Sequence, residues 1–167
     1  MTHLNTLEVE IANAIIEFEK EAHVAHITGN GNWTNGIKKR LGELGCSKGF
    51  KVCDSHCDCL FEPEWLYDLI WYIENSSVKL NHIPLAVESE WDLHDDGIKY
   101  DFEKLLIANA ELKLMICQVY PSRKEKVLQY FQEAIQAYEL GKTGERFLIA
   151  ILDTEEEIFD FTLLTRF

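Results

Sequence analysis

Leu4, Leu7, Ile11, Ala14, Ile15 and Phe18 recur three or four positions apart, the spacing of one helix face, and predict a first helix over about residues 4–25. Gly29, Asn30, Gly31 and Asn32 then break the chain. Thr34 is placed to cap a second helix carrying Ile37, Leu41 and Leu44, with Gly45 as its stop. The period then shortens. Phe50–Cys53 reads as a short strand, and Trp65–Ile73, rich in aromatic and β-branched residues, as a longer one. A polar turn from Glu74 to Asn81 leads to a third strand at Ile83–Trp91, with Pro84 near its start, where strands tolerate proline. Asp101 can cap a helix over about 102–110, and Leu112–Val119 is a fourth strand. Residues 122–140 form a long amphipathic helix with Val127, Phe131, Ile135 and Tyr138 on one side, ending near Gly141. Phe147–Leu152 and Ile158–Leu164 make a closing pair of strands across an acid-rich turn. The order is two helices, three strands, helix, strand, helix, two strands. It predicts a single α/β domain over 1–167, a central mixed sheet flanked by helices.

Within that pattern "LAVESEWD" (85–92) stands out. Side chains alternate faces along a strand, so Ala86, Glu88 and Glu90 share one face and Val87, Ser89 and Trp91 the other. In Trp65–Ile73, Asp68 is the one charged residue, on a face with Leu66, Ile70 and Tyr72. Both faces are otherwise apolar, which predicts a strand covered on both sides. Paired as a hairpin, the two strands can bring Asp68 beside Glu88 and Glu90. Three carboxylates so placed repel unless a cation sits among them. Oxygen ligands on a rigid sheet suit Mg²⁺ or Mn²⁺, and an ion held this way can activate water and clamp a phosphate. The plainer reading puts the glutamates at a sheet edge, reaching solvent or bonded to Lys and Arg.

Asp68 in "EWLYDLIWYIE", a hairpin, then "VESEW" and the helix "YDFEKLL" resemble the PD-(D/E)xK phosphodiesterase superfamily, with its restriction-endonuclease-like fold. The resemblance covers about residues 4–120. It implies a divalent-metal-dependent nuclease acting on DNA, or less readily on RNA, with Asp68 and Glu88 holding the metal. Glu90 stands where the family usually has Lys, as it does in some restriction enzymes, and would serve as ligand or base. Other members move the basic group to the following helix, which here offers Lys104 to orient water or stabilise the developing phosphorane charge. Family members often add a glutamate from the first helix. Glu10, bordering the apolar stripe beside Leu7, Ile11 and Ala14, is the local candidate, with Glu17 and Glu21 on the same border. Pairing of two copies, common among family nucleases that cut both strands, is a further expectation.

Charge complicates this. The chain of 167 residues carries a formal net charge of −13, which argues against non-specific binding to nucleic acid or anionic membrane. Between residues 22 and 51, however, Lys38, Lys39, Arg40, Lys48 and Lys51 face one acid, Glu43, with Trp33 and Phe50 flanking. Such a local patch could meet phosphates, or be a solvated helix face. The overall charge, the acid-rich turn Asp153–Glu157 and the absent strand lysine favour a rival: a non-enzymatic acidic binding protein, of the immunity or antitoxin kind, that neutralises a basic protein partner. A third possibility keeps the nuclease fold without its catalysis.

The remaining signals are weaker. "CDSHCDC" gathers Cys53, His56, Cys57 and Cys59, zinc-ligand types, but no second ligand pair is evident and Cys46 is the one nearby addition. "WDLHDDG" (Asp92, His94, Asp95, Asp96) reads as a solvated acidic loop that could add outer metal ligands. "GNGNW" has glycines but no following Lys-Ser/Thr, so it is a turn rather than a phosphate loop. No run approaches the ~20 apolar residues of a membrane helix. "MTHLNTLEVE" lacks a basic stretch followed by an apolar core, so no signal peptide is expected. A cytoplasmic location with the five cysteines reduced follows as the expectation.

Overall fold

The computed structural model describes residues 4–53, 66–78 and 80–167. In chain order the elements are α1 (Thr6–Val24), α2 (Asn30–Ser47), β1 (Lys51–Cys53), β2 (Leu69–Ile73), β3 (His82–Glu90), α3 (Asp95–Leu106), β4 (Leu112–Val119), a 3₁₀ turn at Pro121–Arg123, α4 (Lys124–Ala137), β5 (Arg146–Asp153) and β6 (Phe159–Thr165). The fold is α/β, with the strands in the order β1 to β6 in one mixed sheet. β1 and β2 run antiparallel, β4 and β5 parallel, β5 and β6 antiparallel. Contacts divide the chain into two compact units, Leu4–Ala86 and Val87–Phe167, with the division inside β3.

In the N-terminal unit, α1 begins with a capping box. The Asn5 side chain accepts from the Glu8 backbone N–H at 3.0 Å, and the Glu8 carboxylate accepts from the Asn5 N–H at 2.7 Å. Ile11, Ile15, Phe18 and Ala22 are its buried stripe. The second helix starts at Asn30, four residues before the expected cap. Gly29, at φ 89°, makes the sharp entry that a side chain would resist, and Thr34 donates its hydroxyl to Asn30 O from inside the first turn. Gly45 is not the stop expected of it. It lies within α2 against the indole of Trp71, where a Cβ would come within 2.5 Å of Nε1. The helix closes instead at Lys48, before Gly49 at φ 83°. Trp71 is wholly buried, donates Nε1–H to Leu41 O at 3.1 Å and stacks on Phe50 at 5.5 Å. Leu69, Ile70, Trp71 and Tyr72 are all buried, as a strand covered on both faces requires.

In the C-terminal unit, β4 and β5 are almost wholly buried, the continuous apolar pattern of parallel strands. The ring of Phe102 on α3 stacks 4.0 Å from Phe131 on α4 and lies 5.8 Å from Phe147 on β5, so both helices sit on one face of these strands. Helix α3 starts seven residues ahead of the expected start. Its stripe Ile98, Phe102 and Leu105 extends the helical period backward, and Asp95 and Asp96 fill the first turn, where acids complement the helix dipole. The acidic "HDDG" is therefore a helix start rather than a loop, and Asp95 is ion-paired with Arg123. One buried cation interrupts the core. Lys113 on β4 is 1% exposed, with Nζ 3.1 Å from Glu145 Oε1 and 4.6 Å from the centroid of Phe147. Burial holds its pKa below the ordinary lysine value, against the pull of Glu145.

Candidate functional site

Strand alternation puts Glu88 and Glu90 on the same side of β3, and both meet α3. Lys104 Nζ lies 2.7 Å from each carboxylate oxygen of Glu88, and 3.3 Å from Asp101 Oδ1 one helical turn back. Glu88 is 1% exposed and Lys104 about a third, so the pair has a sealed end and an end that reaches water. Burial pulls the Lys104 pKa down. The hydrogen bond and charge of Glu88, with help from Asp101, outweigh it and hold the pKa above the ordinary lysine value.

Glu90 is engaged differently. Its Oε1 accepts from the Asp92 backbone N–H at 2.7 Å, and its other oxygen lies over Gly97 in the first turn of α3. A Cβ at Gly97 would come within 2.7 Å of that oxygen, so the glycine makes room for the carboxylate beside the positive end of the helix.

Asp68 and Glu10 belong to the N-terminal unit. Asp68 sits in a bend just before β2, rather than inside a strand that begins at Trp65, so strand alternation does not set its direction. Its Oδ1 is 3.9 Å from Nζ of Lys38, an α2 residue that is nearly buried. Glu10 is ion-paired with Lys48. The basic stretch of α2 is thus largely neutralised within its own unit: Lys38 by Asp68, Lys48 by Glu10, and Arg40 by Glu21 and Glu43.

The C-terminal unit therefore brings together Glu88, Glu90 and Lys104, three of the five residues singled out by sequence. Asp101, Lys38 and Gly97 were missed in these roles. Asp101 and Lys104 carry the one available signal, an acid and a base three apart on a helix; Lys38 was counted only as part of a basic patch. Among the described residues, no group of three or more His, Cys, Asp and Glu side chains is gathered as a metal cage. Of "CDSHCDC", Cys53 is not disulfide-bonded and residues 54–65 lie outside the described residues. Cys117 is a buried free thiol, while Cys46 is disulfide-bonded, against the reduced state expected for all five. No described helix is long and apolar enough to cross a membrane. The chain matches no protein-family model, no curated protein and no solved structure.

Proposed function

We propose that this chain is a metal-dependent phosphodiesterase of the PD-(D/E)xK type, acting in the cytoplasm on DNA or, less readily, RNA. Lys104 of α3 would supply the cation that β3 lacks. The observation that carries this reading is the contact of Lys104 Nζ with both oxygens of Glu88. It sets a lysine from the following helix against the second acidic motif, where the resemblance expects a migrated base. The order of elements through β4 also accords with that resemblance.

The donor chemistry fits a hard cation. Glu88 offers carboxylate oxygens of the kind Mg²⁺ or Mn²⁺ takes. Glu88 could accept an ion once Lys104 swings outward, and the lysine head is exposed enough to do so. A bound ion would supply a polarised water and neutralise a phosphate oxygen. Glu90 would take the proton of the attacking water as its oxygen bonds to phosphorus. Lys104, displaced from Glu88, would stand against the charge growing on the phosphoryl oxygens as the bridging P–O bond breaks.

A second reading has its own observation. Helix α3 covers the glutamate face of β3, and Glu88 is buried with its charge already balanced. This favours a scaffold without catalysis: an acidic binding protein that meets a basic protein partner through exposed acids such as Glu155, Glu156 and Glu157. Titration of the full chain with Mn²⁺, followed by calorimetry, separates the two. The nuclease reading expects saturable binding that Glu88→Gln abolishes, with plasmid cleavage dependent on the ion. No binding, and no cleavage of plasmid or single-stranded substrates, leaves the binding-protein reading.

A further inference from the structure

The outer edge of β6 carries the inference. Arg166 N–H donates to Glu145 O, Gly144 N–H donates to Arg166 O, and Asp153 N–H donates to Ile158 O. Even-numbered residues of β6 thus turn their backbone groups toward β5. In an antiparallel ladder the direction alternates, so Phe161 and Leu163 aim both N–H and C=O away from it. The carbonyl of Thr165, also outward, is taken by Gln132 and Gln136 of α4 at 3.3 and 3.0 Å. Among the described residues, no strand lies beyond β6 and no hydrogen bond reaches the outward groups of Phe161 and Leu163.

Natural sheets guard such an edge with lysine, proline, a bulge or a very short strand. Residues 161–165 (FTLLT) contain none of these and no charge, in a chain at −13. β6 pairs with β5 through seven consecutive residues without a bulge. All of 161–165 are half-exposed, and Phe167, 83% exposed, extends the apolar edge.

We propose that this edge is the interface with a second copy of the chain, the two β6 strands pairing antiparallel across a two-fold axis at Leu163. An isologous interface needs a self-complementary surface, and a strand paired antiparallel with itself provides one. The axis at Leu163 is favoured by charge. It sets Asp160 opposite Arg166 of the second copy, twice, as direct cross-strand neighbours. Asp160 is ion-paired with Lys124 of its own chain, yet is 54% exposed and keeps an open side. Phe159 then faces Phe167 of the second copy. Leu163 exchanges both backbone bonds with its counterpart, and each Thr165 N–H meets the Phe161 carbonyl opposite. The uncharged centre lets two strongly acidic chains approach with no like charges at the axis.

The test is sedimentation of the full chain over a range of concentrations, with amide exchange measured by NMR on the same samples. A dimer is expected, with the Leu163 and Thr165 amides exchanging at least about tenfold more slowly in the dimer than after dilution. Leu163→Lys should give monomer. Asp160→Arg and Arg166→Asp should each weaken association, and the double exchange should restore it. The exchange measurement needs no variant, so misfolding of one cannot rescue the proposal. A monomer at all concentrations overturns it, as does a dimer in which the Leu163 and Thr165 amides exchange freely. A double exchange that folds but does not restore association overturns the Leu163 register.

Discussion

Lys104 Nζ stands 2.7 Å from each carboxylate oxygen of Glu88, a glutamate that is 1% exposed on the strand beside it. Removing one partner of a buried pair leaves the other charge without compensation. Lys104→Met should therefore destabilise the fold by about 2–3 kcal/mol, less than a fully buried pair because the lysine head reaches water. Glu88→Gln keeps a hydrogen-bonding oxygen for the lysine and should cost about 1 kcal/mol. Urea unfolding measures both. Equal costs would show that packing rather than charge dominates.

The same pair fixes a pH response. The Lys104 pKa is raised on folding, so its contribution is fully present below the unfolded lysine pKa. It is lost as pH rises through the higher folded value. Stability should fall at alkaline pH in the wild type, and Lys104→Met should remove that part of the slope. An unchanged slope in the variant would place its origin elsewhere.

Lys113 should behave in the opposite way. Its pKa is lowered by burial, so the unfolded chain binds the extra proton and this lysine disfavours folding at neutral pH. The penalty is relieved as pH rises toward the unfolded lysine pKa. Lys113→Met fills the same space without the charge, and Glu145, 19% exposed, can turn to water. The variant should be neutral or more stable by up to about 2 kcal/mol at pH 7. Clear destabilisation in thermal melts would mean that Glu145 and Phe147 hold the ammonium better than burial disfavours it.

How far these relationships were legible in the sequence depended on their period. Leu112–Val119 matched β4 because its mainly apolar run, broken by Lys113 and Gln118, has strand length and is too short for a typical helix. The Glu88 and Glu90 pair was visible because alternation exposes charge on an apolar strand. The start of α3 was hidden: Gly97 and two aspartates read as a loop, and the glycine's reason, room for Glu90, exists only in three dimensions. Asp68 followed an alternation that the chain does not adopt there, since the strand begins one residue later. Its contact with Lys38 joins a helix to a bend, and no spacing rule encodes that.

Gly45 puts the same lesson in energetic terms. By propensity alone, Gly→Ala within α2 should stabilise a helix by up to about 1 kcal/mol. At Gly31, where an added Cβ meets nothing within 4 Å, that gain should appear, at about 0.5 kcal/mol. At Gly45 the Cβ would stand 2.5–2.8 Å from indole atoms of Trp71, which is fully buried and tied by Nε1–H to Leu41 O. The ring cannot retreat without breaking that bond or leaving its stack on Phe50. Gly45→Ala should therefore destabilise by about 2–3 kcal/mol, within the range for an overpacked core, and perturb tryptophan fluorescence in the native state. A stabilising Gly45→Ala would show that α2 and the Trp71 strand can move apart without cost.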